Sequence, residues 1–420
     1  MKRWMVVLIL GFAVYAAGIL MYFGWADIYS LPPEMLGTNV DPETFMSPDQ
    51  IQRAEALSRV RSIVYFIETP LQLILMVLLV GISIRFRKAV ERLTRRRVMQ
   101  LGLFVLLFLS LVYALMLPFD YLMLLVERHY GVSNVASGTW LTDRAKNLGV
   151  EWVTSSLLFL GLLAIMRRSP RRWWVWVWML SIPLLLFVQF IQPVVIEPLY
   201  NEFTPLREGP LKKELLRLAA ESGISSKDIY EVNMSERTSQ LNAYVSGIGS
   251  NARVVLWDTT LEKLEPREIL VVMAHEMGHY AERHIFWGSG FGLLLSFGLV
   301  WAGSRFYEVI IRNWGASRGL SGPGDLAALP VLLAVVSLFT LLVTPLDNAA
   351  SRLMEVRADR YAMRLTGDGM GAASAFQKLA ATNLSPVTQP RLQQFFLGTH
   401  PTIEKRIRYF NKYKDASAPQ

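Results

Sequence analysis

No cysteine occurs among the 420 residues, which excludes disulfides, thiolate metal ligands and a cysteine nucleophile together. Charge is scarce as well: 18% of residues are Asp, Glu, Lys or Arg against 52% hydrophobic, and the mean hydropathy is +0.31. Soluble globular domains are not built with so little charge, so the chain reads as a polytopic membrane protein, long enough for several spans and a folded domain. The net charge of +9 collects in short loops beside apolar segments, where membrane topology accounts for it. No nucleic-acid partner is expected on that placement. Histidine is the last scarcity, five in all, and three of the five crowd into one stretch, His275, His279 and His284.

Apolar segments long enough to cross a hydrocarbon core of about 30 Å are read at residues 4–26, 63–84, 98–119, 148–166, 173–196, 285–304 and 327–346. The first is too long for a cleaved signal peptide and is expected to be retained. Between the second and third spans, residues 85–97 hold seven basic residues and one acidic, and residues 167–172 are also basic, whereas residues 27–62 are rich in acid. Basic loops face the cytoplasm, which places the amino terminus inside and, five crossings later, the inserted domain outside. Trp173, Trp174, Trp176 and Trp178 read as an interfacial belt beside Arg171 and Arg172.

The expected fold is mostly α, with about seven transmembrane helices and one small inserted α/β domain. The parts are residues 1–196 with five spans, 197–284 as the inserted domain, 285–346 with two further spans and 347–420 as a helical C-terminal part. Within the insert, 210–223 has the period of an amphipathic helix, and 229–234, 241–245 and 253–257 the alternation of short strands. The tail 415–420 is expected to fray. Glu68, near the outer end of the second span, must face a watery interior or the headgroups.

His275-Glu-Met-Gly-His279 carries the chemistry. Imidazoles four residues apart share one helix face, as two ligands of a tetrahedral zinc require, and Glu276 lies next to the open position as a general base. A third protein ligand is needed, and Glu355 offers it: Glu355 and Asp359 are again four apart, on a helix beginning just beyond the last span. Asp359 then orients a histidine or assists proton transfer. The bland alternative pairs these acids with Arg352, Arg357 or Arg360 on a solvated helix.

Taken with residues 348–359, the segments Ser239-Gln-Leu-Asn-Ala-Tyr-Val-Ser-Gly247, His275 to His284 and His400-Pro-Thr-Ile-Glu-Lys-Arg406 resemble the integral-membrane zinc metalloproteases of the CAAX prenyl endopeptidase type. The loop 127–134 with 138–141 is similar to that family's N-terminal signature. The resemblance covers nearly the whole chain. It implies helices enclosing a membrane chamber, one zinc ion held by His275, His279 and Glu355, and Glu276 as base. It further implies that Asn242, Ala243 and Tyr244 hold an extended peptide by strand addition, and that His400 and Arg406 lie near the cleaved bond. Arg406 is then free to hold a substrate carboxylate and His400 to donate to the oxyanion. The expected activity is hydrolysis of hydrophobic or lipidated, CAAX-like peptides at the membrane boundary without a covalent intermediate; the alternative substrate class is misfolded membrane protein. The tail lacks a dilysine signal, so a bacterial plasma membrane is expected. A zinc transporter is disfavoured because every histidine lies outside the apolar segments, and a site-2-type intramembrane protease because Asp347 precedes Asn and not Gly.

Overall fold

The structure, a computed structural model, describes residues 3–24, 26–191, 195–225, 229–247, 249 and 252–413. The tail 415–420, expected to fray, and part of the fifth expected span, residues 192–194, lie outside these. The chain begins with α1 (Arg3–Gly24), α2 (Pro48–Leu78), α3 (Val80–Leu93), α4 (Arg97–His129), α5 (Ser137–Arg168) and α6 (Trp173–Ile191). The inserted segment follows as β1 (Phe203–Pro205), α7 (Pro210–Glu221), β2 (Ile229–Val232), β3 (Ala243–Ser246), β4 (Arg253–Trp257), α8 (Asp258–Lys263) and α9 (Pro266–Ala281). Then come α10 (His284–Ile310), α11 (Leu329–Thr366), α12 (Gly369–Thr382), α13 (Arg391–Phe396) and α14 (Ile403–Asn411).

Among the described residues, six helices are long and apolar enough to cross a membrane, and the shorter apolar α6 stands where the remaining expected span was read. Neighbours pack in a circuit: α1 on α2, α2 on α11, α11 on α10, α10 on α6, α6 on α5 and α5 on α4, with α3 touching α4, α2 and α11. Such a circuit is a ring, and it encloses a membrane chamber. Polar side chains inside the spans fit that hollow, for Arg144 of α5 pairs with Asp120 of α4 at 3.3 Å and Glu68 accepts from Gln72 at 2.8 Å.

Several helices outrun their apolar stretches. At 33 residues α4 is about 50 Å long, well beyond a hydrocarbon core of about 30 Å. Helix α2 begins at Pro48, capped by Ser47 and Gln50 in a reciprocal capping box, and not near residue 63. Its early charges stand above the membrane, where Arg61 pairs with Glu127 at 2.8 Å. The second span also ends sooner than expected, at Leu78, and the basic stretch continues as α3 before α4 starts.

The insert is built on a four-stranded sheet of order β1-β2-β4-β3, with β2 and β4 parallel and the other pairs antiparallel. Strand β1 was not expected. Ile229, Val254, Leu256, Leu215, Leu218, Ile269 and Met273 are buried together, which fixes α7 and α9 on the sheet. A capping box between Glu265 and Glu268 starts α9, with Pro266 at its first position. The loop 131–134 is sewn to this unit: Thr238 and Ser239 donate to the carbonyls of Val132 and Gly131 at 2.6 Å each. The insert therefore rides on the membrane ring at the end opposite the basic loops.

Candidate metal centre

Helices α9 and α11 build the centre. Helix α9 presents His275 and His279 on one face because they are four residues apart, and its close packing on α11 depends on Gly278. A Cβ there would meet Tyr361 Cβ at 3.0 Å and Ala358 Cα at 3.3 Å. Helix α11 runs unbroken from the membrane to Gly367, whose φ of +63° ends it. The acidic pair expected beyond the last span is thus a continuation of that span.

His275 Nε2 and His279 Nε2 lie 3.2 Å apart. Glu355 lies 3.2 Å from the first through Oε2 and 3.3 Å from the second through Oε1. Ligands of a tetrahedral centre with arms of about 2.0–2.1 Å stand roughly 3.3–3.4 Å apart, so this triangle has the dimensions of one tetrahedral face. Glu355 Oε2 is buried and accepts no hydrogen bond, its approach to His275 being close in distance but wrong in angle. A buried, unsatisfied carboxylate oxygen beside two facing imidazole nitrogens is a cation site.

Each imidazole is backed on its far side. His275 Nδ1 is 2.9 Å from Asp359 Oδ1, and Asp359 in turn accepts from Arg406 Nε and Nη2 at 3.0 and 2.6 Å. Burial and the Arg406 charge oppose protonation of His275, but Asp359 and Glu355 overcome both and push it up to about 9. His279 Nδ1 is 3.0 Å from Nδ1 of His284, a buried residue for which the sequence suggested no role. Burial raises the Glu276 carboxyl above its ordinary range, against the pull of His275 and His279.

Arg406 corrects one expectation. Its guanidinium is buried, held by Asp359, and stacked 3.9 Å above the ring of Phe376. It is consumed in fixing Asp359 and does not stand free for a substrate carboxylate. His400 is exposed, with Nε2 at 3.5 Å from Glu355 Oε1.

Strand β3 passes the cluster at the sheet's edge. Asn242 precedes the strand and does not belong to it: its carbonyl accepts from Trp257 and its side chain from the Ala243 amide. Antiparallel pairing alternates, so Ala243 and Val245 turn their main-chain groups to the open edge. Tyr244, by contrast, turns its main-chain groups toward β4, and its hydroxyl is 3.3 Å from Glu197. Two clefts flank the histidines along this edge. One, of about 250 Å³, is lined by Asn242, Ala243, Glu276, His400 and Arg406; the other, of about 280 Å³, by Val245, His279, Ile285, Met354 and Glu355.

Comparison with known proteins agrees with this geometry. Residues 205–414 match peptidase family M48, and residues 30–202 match the family described as CAAX prenyl protease N-terminal, five membrane helices. The chain is 38% identical to the Bacillus subtilis protein called uncharacterized metalloprotease YhfN, over 100% of this chain and 99% of that one. It is 29% identical to CAAX prenyl protease 1 of Saccharomyces cerevisiae, over 67% of this chain and 65% of that one. The crystal structure of S. mikatae Ste24p superposes with a TM-score of 0.79 at 21% identity, covering 98% of this chain and 99% of the other. M48 peptidases use a divalent metal, for which His275, His279 and Glu355 are a fitting donor set. The chain belongs to peptidase family M48 and is a membrane metalloendopeptidase of the CAAX prenyl protease type.

Proposed function

We propose that the chain holds one zinc ion on His275, His279 and Glu355 and cleaves extended, hydrophobic or lipidated peptides lying along β3. The observation that carries this reading is the 3.2–3.3 Å triangle of donor atoms with Glu276 beside it at an open strand edge. When bound, zinc supplies Lewis acidity, polarising a scissile carbonyl and bringing the pKa of water toward about 7. Glu276 takes the water proton and delivers it to the leaving amine, and its raised pKa suits both halves of that task. Asp359 fixes the tautomer and direction of His275, and Arg406 fixes Asp359. His400, exposed in the cleft beside Glu276, donates to the oxygen that becomes negative.

The peptide backbone pairs with the outward carbonyl of Ala243 and the outward groups of Val245, while Asn242 grips it with its free side-chain NH2. The cleft on the membrane side, lined by Ile285 and Met354, takes an apolar group. CAAX-like prenylated substrates accord with the names of several relatives. Misfolded membrane protein is the alternative, favoured if prenylated and unmodified peptides turn over equally. The basic loops and the metal centre stand at opposite ends of the ring, which supports an active site on the external face of a bacterial plasma membrane. Reporter fusions at Gly223 and Gln420 test that sidedness, and cytoplasmic signals from both reverse it.

Two variants test the chemistry. Glu276→Gln is expected to retain zinc by elemental analysis and to lose cleavage by at least about 100-fold. Glu355→Ala is expected to lose the metal. Full zinc occupancy without Glu355, or turnover without Glu276, defeats the assignment.

A further inference from the structure

At the end of the ring remote from the metal, three helices of different origin converge on a depression of about 330 Å³. Arg87 comes from α3, Arg97 opens α4, and Arg167 closes α5, with residues 321–326 forming the far wall. Of the three arginines, Arg87 is offset by Asp325, which leaves Arg97 and Arg167 as the open cations. Asp325 is saturated by Arg87, the amides of Ser321 and Ala327 and the Ser321 hydroxyl. Glu91 is half-exposed and reaches no closer than 3.9 Å to Arg87 Nε, an atom that is buried and has no hydrogen-bond partner.

Arg97 and Arg167 are exposed and make no ion pair among the described residues. Arg97 also stands at the start of a 33-residue helix, whose unpaired amides favour an anion. The depression is not purely polar. Leu101, Leu160 and Leu163 line it from below, and Leu160 shares a face of α5 with Leu157, which is 65% exposed where the helix meets lipid. Trp173 and Trp174 mark the same interfacial level.

A cationic mouth above an apolar floor that opens to the exterior at Leu160 fits a molecule with an anionic phosphate head and an acyl tail. We propose that this depression binds the phosphate head of an anionic membrane phospholipid through Arg97 and Arg167, while Arg87 is occupied in holding the wall through Asp325 and the Gly319 carbonyl. The same phosphate chemistry exists in free inorganic phosphate, but the leucine floor has nothing to contact in that case.

The test uses full-length protein in detergent, with dioleoylphosphatidylglycerol, dioleoylphosphatidylcholine or inorganic phosphate added separately. Phosphatidylglycerol is expected to bind and to raise the apparent melting temperature, phosphatidylcholine and phosphate much less. The double variant Arg97→Gln, Arg167→Gln is expected to weaken phosphatidylglycerol binding roughly 25-fold, about fivefold for each surface arginine. Arg171→Gln with Arg172→Gln, outside the depression, is expected to leave it unchanged. Zinc content and peptide cleavage report that each variant is folded. Equal phosphatidylglycerol affinity in the Arg97/Arg167 variant and the unmodified protein overturns the site. An equal shift with inorganic phosphate alone overturns the lipid assignment.

Discussion

Replacing Gly278 by alanine tests whether helix spacing sets the metal site. The new Cβ would lie 3.0 Å from Tyr361 Cβ, 3.2 Å from Tyr361 Cδ1 and 3.3 Å from Ala358 Cα. Carbon atoms in contact prefer about 3.5–4.0 Å, and two of these three atoms are backbone or fixed to it, so no rotamer change relieves the clash. The helices must part by about 0.5 Å at that level. Glu355 stands three residues before Ala358 on α11, so much of this shift reaches its carboxylate. Metal sites tolerate about 0.2 Å in ligand distance, and the 3.2–3.3 Å contacts of Glu355 would stretch past that limit. Overpacking costs about 1–3 kcal/mol and the better helix propensity of alanine returns up to about 1 kcal/mol. The fold should therefore survive with a modestly lower melting temperature. Zinc affinity, measured by competition with a chelator, should fall by roughly 10- to 100-fold, and peptide cleavage at limiting zinc should fall with it. A Gly278→Ala enzyme with unaltered chelator resistance and turnover would show that α9–α11 contact does not position Glu355.

His284→Ala should weaken zinc retention about 10- to 100-fold, because a metal on His279 Nε2 leaves its Nδ1 hydrogen to be accepted by His284; His284→Asn should restore part of it, and equal retention by all three proteins refutes the role. Val245→Pro removes an outward amide while sparing the bonds to β4, so kcat/KM should drop roughly 3- to 10-fold with zinc retained; an unchanged value argues against strand addition. Glu268 is buried, and burial alone would raise its pKa, but hydrogen bonds from Lys378, Ser374 and the Glu265 amide lower it. Its stabilisation is complete above the unfolded value of about 4.3 and disappears as pH falls through the lower folded value. Glu268→Gln should accordingly cost about 1–3 kcal/mol near neutral pH, by thermal unfolding, and the difference from the unmodified protein should shrink below pH of about 4; a difference independent of pH refutes it.

The parts of this molecule that were legible in its sequence are those with strong short-range periodicity. Two i,i+4 pairs, His275 with His279 and Glu355 with Asp359, sit on single helices, and helical spacing alone puts each pair on one face. Long uncharged runs mark membrane helices because a hydrocarbon core allows little else. What escaped needs knowledge of neighbours. Arg53, Arg59 and Arg61 end the apolar run of α2 in the sequence, yet the helix extends through them because they stand above the bilayer, where Arg53 donates to the Tyr130 carbonyl. The four residues of β3 alternate like any strand, and nothing in their pattern says that one edge stays open. That edge came from family resemblance. Arg406 looked available for the same reason: its partners, Asp359 and Phe376, are 47 and 30 positions away in sequence and meet it only when α12 and α14 pack together.

The route from membrane to metal is nearly unbroken, and this bears on how substrate reaches the site. Helix α11 carries both a span and Glu355, the proposed carboxylate ligand, and α9 passes into α10 through a single left-handed residue, Arg283, with φ of 57°. Glu282, just before that turn, accepts from Arg357 and Arg364 at 2.6 and 2.9 Å, so the end of the histidine helix is tied to α11. Widening the ring at α10 or α11 to admit a substrate would strain this tie and move the ligands apart. Access through the hollow of the ring, by contrast, leaves the tie alone. A peptide entering that way meets the cleft of Ile285 and Met354 first and the cleft of Asn242 and His400 second, with the metal ligands between them. An apolar or lipid-bearing segment can then stay on the membrane side while the bond to be cut lies against Glu276. If substrates take that route, the depth of the apolar group, and not only the sequence around the bond, should determine where cleavage falls.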